Sequence, residues 1–258
     1  MTLNHVLFGW YPYLALTVFV VGSLLRFDRE QYSWKAGSSQ LLRARQLRLG
    51  SNLFHVGILV IFLGHLGGLL TPIAVFDALG IGHGFKQGMA IVIGGIAGIA
   101  CFIGMSLLVH RRLFDPRIRK TSSFSDIGIL LILYVQLILG LSTIPLSLGH
   151  MDGGEMVKFM SWAQGIVTMQ PGASAMVADV HPIFKAHLFL GMTIFLLFPF
   201  TRLVHALSAP VWYLGRTGYQ IVRTKKLQPA ARQRPAIGDL PPQMRPAAIR
   251  PTPVQPAE

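Results

Sequence analysis

The stretch SNLFHVGILVIFLGHLGGLL, residues 51–70, holds two histidines, His55 and His65, and no Asp, Glu, Lys or Arg. A helix of that length is about 30 Å long, the thickness of a bilayer's hydrocarbon core. It reads as a membrane span. An imidazole in hydrocarbon needs a reason, because ionisable residues within spans are costly and face a bundle interior or a functional pathway. Residues 184–207 repeat the pattern, with His187 and His205 in a second apolar segment.

The rest of the chain agrees with a membrane setting. Of its 258 residues, 52% are hydrophobic and 13% charged, and the mean hydropathy is +0.53, far from the usual soluble balance. Apolar runs cover approximately residues 7–25, 52–72, 88–109, 125–147 and 184–207, which predicts an all-α integral membrane bundle of five transmembrane helices. Basic residues alternate between the connections. Arg26, Arg29, Lys35, Arg43, Arg45 and Arg48 follow the first run, Arg111, Arg112, Arg117, Arg119 and Lys120 follow the third, and nine more close or follow the fifth. Only Lys86, Lys158 and Lys185 fall on the other side, leaving 20 of the 23 Lys and Arg to face the cytoplasm. The N-terminus is therefore expected outside and the C-terminus inside.

Topology also explains the net charge of +13. The charge is divided among membrane-flanking loops and a tail, with no basic fold interleaved with aromatics, so nucleic acid is not an expected partner. The first run has no basic stretch before it and reads as a retained helix, not a cleaved signal. The single cysteine, Cys101, lies in the third run, so an iron-sulfur cluster or Cys-ligated zinc would belong to a partner subunit. From about Gln228 the sequence is rich in Pro, Ala and Arg without apolar periodicity. Residues 1–226 are thus expected to form the membrane domain and 227–258 a disordered cytoplasmic tail.

Residues 148–183 form the longest external connection, and Gly154–Ala163 within it has one apolar and one polar side at helical spacing. It reads either as a lid on the outer ends of the bundle or as an interfacial helix shaping a quinone entrance. Gly94 and Gly98 form a Gly-x-x-x-Gly step in the third span, read as close helix packing.

A lone intramembrane histidine is more often a hydrogen-bonded packing residue than a ligand. Two on each of two helices change the balance. Ten residues separate His55 from His65, about 15 Å along a helix, and eighteen separate His187 from His205, about 27 Å if the helix is continuous. Adjacent spans run in opposite directions, so pairs within one leaflet are workable and crossed pairs are not: His65 with His187 outside, His55 with His205 inside. The two separations disagree by about 12 Å, a mismatch that tilt and a kink at Pro199 would have to absorb.

Two imidazole pairs point to two haems. An iron with a nitrogen on each face has no open position, which suits electron transfer and disfavours oxygen activation. Arg111, Arg112 and Arg202, near the inner boundary, are candidates for haem propionates, with ordinary positive-inside charge the competing reading. His5, His83, His110, His150 and His181 fall in loops or at boundaries and need no ligand role. Lys86, the only basic residue between the second and third spans, reads either as a snorkelling helix anchor or as a partner for a quinol oxygen beside the outer haem.

Several segments in one order carry a family resemblance: Tyr11-Pro12-Tyr13, Ser51-Asn52-Leu53-Phe54-His55, Gly64-His65, Arg111-Arg112-Leu113-Phe114, His150-Met151-Asp152-Gly153, Phe184-Lys185-Ala186-His187 and Leu197-Phe198-Pro199-Phe200 through His205. Over about residues 8–226 the chain resembles the gamma subunit, a dihaem cytochrome b, of membrane-bound respiratory nitrate reductase. The resemblance implies a multi-pass subunit of the bacterial cytoplasmic (inner) membrane with a periplasmic N-terminus. It implies two haem b groups on His55, His65, His187 and His205, and a quinol site, for menaquinol or ubiquinol, at Lys86 with Gly64. Electrons would pass inward to an iron-sulfur beta subunit and a molybdenum-containing alpha subunit that reduces nitrate. The cytochrome b anchor of another quinone-linked reductase or dehydrogenase is the nearest alternative, and a non-redox anchor or transporter component is a more distant one.

Overall fold

The computed structural model describes residues 2–34, 42, 44–208 and 215; the tail read from sequence at 227–258 lies outside them. In chain order the helices are α1 (Leu3–His5), α2 (Tyr11–Arg29), α3 (Ala44–Leu70), α4 (Ile73–Ala78), α5 (His83–Phe114), α6 (Pro116–Lys120), α7 (Phe124–Leu148), α8 (Gly154–Val167) and α9 (Pro182–Leu197). A π-helical segment, Val6–Trp10, joins α1 to α2, and short 3-10 turns follow α9 at Phe198–Phe200 and Arg202–Ser208. No strand occurs among the described residues. Five stretches are long and apolar enough to cross a membrane: Leu3–Arg29, Ala44–Leu70, His83–Phe114, Phe124–Leu148 and Pro182–Phe200.

Local chemistry sets the helix starts. Ser123 and Asp126 form a reciprocal capping box at the head of α7, satisfying backbone donors that the first turn leaves open. Asp115 caps α6 by accepting from Arg117 and Ile118. Pro182 begins α9, where its missing N–H costs nothing, and His181 accepts from the Ile183 amide.

The long helices pack in the spatial order α3, α5, α7, α9, α2. The tightest seam lies between α3 and α5. A Cβ on Gly57 would sit 2.7 Å from the Ala97 carbonyl and the Cys101 Cβ, and one on Gly104 would meet the Phe54 amide and lie 2.7 Å from the Gly50 carbonyl. The backbones approach this closely only because those side chains are hydrogen. The packing glycines are therefore Gly50, Gly57 and Gly104. Of the Gly94–Gly98 step, only Gly98 packs, with Leu141 at 2.7 Å from its would-be Cβ, whereas Gly94 faces open space.

The fifth span departs from its expected bounds of 184–207. Regular helix stops at Leu197, and Thr201 adopts an extended conformation (φ −121°, ψ 177°) before the 3-10 turn that carries His205. Pro199 supplies the break, having no N–H to continue the ladder. Arg26 of α2 then takes the exposed carbonyls, donating to Pro199 at 2.7 Å and Thr201 at 2.9 Å. Gly22 makes room for the turn, since a Cβ there would meet the Pro199 ring at 2.8 Å. The continuous rise of eighteen residues assumed from sequence does not exist.

Helix α8 lies across the end of the bundle where α3 finishes. Its Trp162 donates to the Phe8 carbonyl at 2.9 Å, and Gln164 donates to the Leu69 and Thr71 carbonyls at 3.0 and 2.9 Å, closing the C-terminal end of α3. Trp162, Ala163 and Ile166 pack with Phe8, Ala173, Val177 and Val180. The covering role expected of this segment is what the helix performs. At its edge Lys158 bridges Glu155 and Asp179 at 3.1 and 2.9 Å. Asp179 and Glu155 raise the Lys158 ammonium above its ordinary range, and Lys158 holds the Asp179 carboxyl below its own.

Candidate functional site: two histidine pairs

Helices α3 and α9 sit apart in the packing order, and the four histidines face one another across the space between them. The ring centroids of His65 and His187 are 6.2 Å apart, and those of His55 and His205 are 6.4 Å apart. Two metal–imidazole bonds of about 2.0–2.1 Å in line, with a ring behind each, place the centroids roughly 6 Å apart. Both centroid separations match a single metal held between two imidazoles. A porphyrin supplies the remaining ligands itself, so two imidazoles complete the set. Among the described residues no cluster of three or more His, Cys, Asp or Glu forms a separate metal site.

The tautomers also fit. Nδ1 of His55 donates to the Ser51 carbonyl at 2.7 Å, Nδ1 of His65 to the Ile61 carbonyl at 2.8 Å, and Nδ1 of His205 to the Arg202 carbonyl. A carbonyl only accepts, so the proton sits on Nδ1 and the Nε2 lone pair is available as a ligand. Such a bond also orients a ligating ring. It is not diagnostic alone, because His150 makes the same bond to Leu146; the opposed partner across the bundle distinguishes the four. His187 is held differently, by Gln136 of α7, whose Nε2 donates to the His187 carbonyl at 3.1 Å. A Cβ on Gly140, one turn along α7, would lie 3.0 Å from His187 Cε1.

At the outer pair, Lys86 is 8% exposed and does not snorkel. Its ammonium donates to the Gly68 carbonyl at 2.8 Å and the Met160 thioether at 2.9 Å, and lies 3.6 Å from the centre of the Phe76 ring. Three neutral groups from α3, α8 and α4 thus hold a buried cation one turn beyond His65. Sequence reasoning missed Met160 and Phe76, because nothing local to α4 or α8 shows that they converge on α5. Gly64 precedes His65, and a Cβ there would meet nothing within 4 Å; no recorded contact joins it to Lys86.

Near the inner pair, Arg112 and Arg202 each stand 3.6 Å from Asp126, linking the end of α5, the head of α7 and the turn bearing His205. Arg112 also donates to Ser122 at 3.2 Å, and buried Arg111 donates to the Leu42 carbonyl at 2.6 Å. Arg26 and Asp126 were not singled out in the sequence, where each reads as an ordinary boundary charge.

The fold and its histidines define a five-span helical membrane protein with two imidazole pairs in the space between α3 and the α9 segment. The comparisons are more specific. The family described as nitrate reductase gamma subunit matches residues 4–225. The chain is 52% identical to the respiratory nitrate reductase 1 gamma chain of Escherichia coli K12, covering 86% of this chain and 98% of that one. It is also 52% identical to the respiratory nitrate reductase 2 gamma chain of the same organism, over 87% and 98% of the two chains, and 41% identical to the nitrate reductase gamma chain of Bacillus subtilis 168, over 86% and 99%. The chain belongs to the nitrate reductase gamma subunit family.

Proposed function

We propose that this chain is the membrane cytochrome b subunit of a respiratory nitrate reductase in the bacterial inner membrane, a quinol-oxidising component of a quinol:nitrate oxidoreductase. The observation that carries the reading is the pair of opposed imidazoles at each end of the α3–α9 space, at 6.2 and 6.4 Å. His65 and His187 would hold an outer haem b and His55 and His205 an inner one. When bound, these haems supply one-electron transfer at an iron with no open position. The N-terminus is periplasmic and the C-terminus cytoplasmic, in line with the basic loops.

The residues around the pairs perform the supporting chemistry. Lys86 offers a buried ammonium to a quinol oxygen, with Gly64 leaving room beside His65. The quinol, menaquinol or ubiquinol, gives up two electrons and releases two protons to the outside. The lid helix α8 limits water at that end. Arg111, Arg112 and Arg202 balance anionic propionates near the inner pair. Electrons leave on the cytoplasmic side to an iron-sulfur beta subunit and a molybdenum-containing alpha subunit, where nitrate is reduced.

Difference absorption spectroscopy on the purified complex tests this. Two b-type haem transitions, both reducible by added quinol and reoxidised by nitrate, are expected. A preparation without a reducible b-type signal would overturn the reading and leave a non-redox anchor. A haem signal without nitrate-dependent reoxidation would favour the membrane anchor of another quinone-linked enzyme.

A further inference from the structure

Three of the four histidines satisfy Nδ1 on a carbonyl of their own helix or turn. His187 does not. Its Nδ1 is buried without a partner, and so is Oε1 of Gln136. These orphaned atoms belong to groups already in contact: Gln136 Nε2 lies 3.5 Å from the ring Nε2 of His187 and donates to the His187 backbone carbonyl at 3.1 Å. A buried donor or acceptor left unpaired is costly, so two complementary orphans on adjoining groups mark an arrangement completed by a third party.

That completion follows from ligand chemistry. With a metal on one ring nitrogen, the other must carry a proton, and a ligating histidine nearly always passes that proton to an acceptor. No backbone carbonyl takes it at His187. We infer that Gln136 is the positioning residue for His187: its amide oxygen accepts the N–H of whichever ring nitrogen the iron leaves free, while its amide nitrogen stays on the backbone carbonyl. The surroundings suit this role. Gly140 leaves the ring space on the same face of α7, and a Cβ on Gly191 would lie 3.3 Å from Gln136 Nε2, so the amide is confined between α7 and α9.

The consequence is an asymmetry between the haems. An acceptor on the side chain of a neighbouring helix is tunable by substitution, whereas a carbonyl of the ligand's own backbone is not. Gln136 therefore sets the electronic character of the outer site independently of the inner one.

The inference rests on the haem reading above, and the test separates the two. In the intact complex, Gln136→Glu keeps an acceptor and adds negative charge, strengthening the donor power of His187. Both haems should remain, one midpoint potential should fall, and that haem alone should change its low-spin electron paramagnetic resonance signal. Gln136→Leu removes the acceptor, and the same haem should bind about 10–100-fold more weakly. If the unaltered complex holds two haems and neither variant moves either potential or signal, or both haems shift equally, the role assigned to Gln136 is wrong. A fall in melting temperature with both signals unchanged also overturns it, since a packing residue would do that. Absence of haem from the unaltered complex would instead sink the reading on which the inference stands.

Discussion

The outer and inner histidine pairs present nearly the same separation, 6.2 and 6.4 Å, yet they are built by opposite means. The outer pair joins two regular helices, α3 and α9, with a third helix contributing Gln136 and Gly140 and a lid above carrying Met160 toward Lys86. The inner pair joins regular α3 to a 3-10 turn beyond a broken helix, pinned by Arg26 and by Asp126 between two arginines. A near-equal separation therefore does not require equal scaffolds, although the rings are tilted differently, at 46° in the outer pair and 70° in the inner one. What matters is that each ring is held by its surroundings. Regular helix supplies that where a neighbour can support it, and a charged staple supplies it where the helix has ended.

The largest expected effects remove a ligand. His65→Ala or His187→Ala should abolish the outer haem and with it reduction of either haem by quinol. His55→Ala or His205→Ala should spare quinol binding and stop transfer beyond the outer haem. Haem content and quinol-driven reduction, measured together, check this; two fully occupied haems in any of the four variants would contradict the ligand assignment.

Next come changes to the scaffold. Arg26→Ala deletes four bonds from a charged donor, two to the carbonyls of Pro199 and Thr201 and two to Ser33, and a bond of this kind is worth about 1.5–3 kcal/mol. It should loosen the turn carrying His205 and lower occupancy of the inner haem more than the outer. Equal loss of both would erase the distinction between the two scaffolds. Gly104→Ala attacks the seam that α3 shares with α5, forcing its Cβ into the Phe54 amide. Overpacking of about 1–3 kcal/mol or more should lower the melting temperature of the complex and weaken both pairs, since α3 bears one ligand of each.

Smaller effects sharpen the comparison at the outer end. Lys86→Ala should retain both haems and raise the quinol KM about tenfold or more, as expected for losing a hydrogen bond from a charged group. An unchanged quinol dependence would return Lys86 to a structural role. The smallest effect is at the edge of the lid. Asp179 is held below its ordinary range, so its pairing with Lys158 contributes above the carboxyl's unfolded value and is lost as pH falls through the lower folded one. The pair is solvent-exposed and screened, so melting curves of the unaltered chain and Asp179→Asn should nearly coincide at neutral pH and converge fully in acid. A large difference at pH 7 would show that the lid depends on this bridge.

Much of this was legible before any coordinates. Five apolar runs, the alternation of basic loops and the positions of four histidines follow from composition and spacing, because hydrocarbon imposes a simple rule on every residue it touches. The same reasoning named Pro199 as the site of a kink but not the extent of the break. It carried helical rise through residues 184–207 and met a mismatch of about 12 Å, whereas regular helix ends at Leu197 and the chain turns through an extended Thr201. It also singled out the Gly94–Gly98 step, of which Gly98 packs and Gly94 does not, and did not single out Gly50, Gly57 and Gly104, because a motif shows that small residues are present but not which neighbour comes close.

The sequence alone thus determined the number of spans, the residues able to hold iron and the family, all of which depend on residue type and spacing along one dimension. Tertiary structure decided what orients each ring and what surrounds Lys86. Those depend on Gln136, Met160, Arg26 and Asp126 arriving from helices far away in the chain. A hydrogen bond between helices leaves no period in the sequence, so only the packed bundle reveals it.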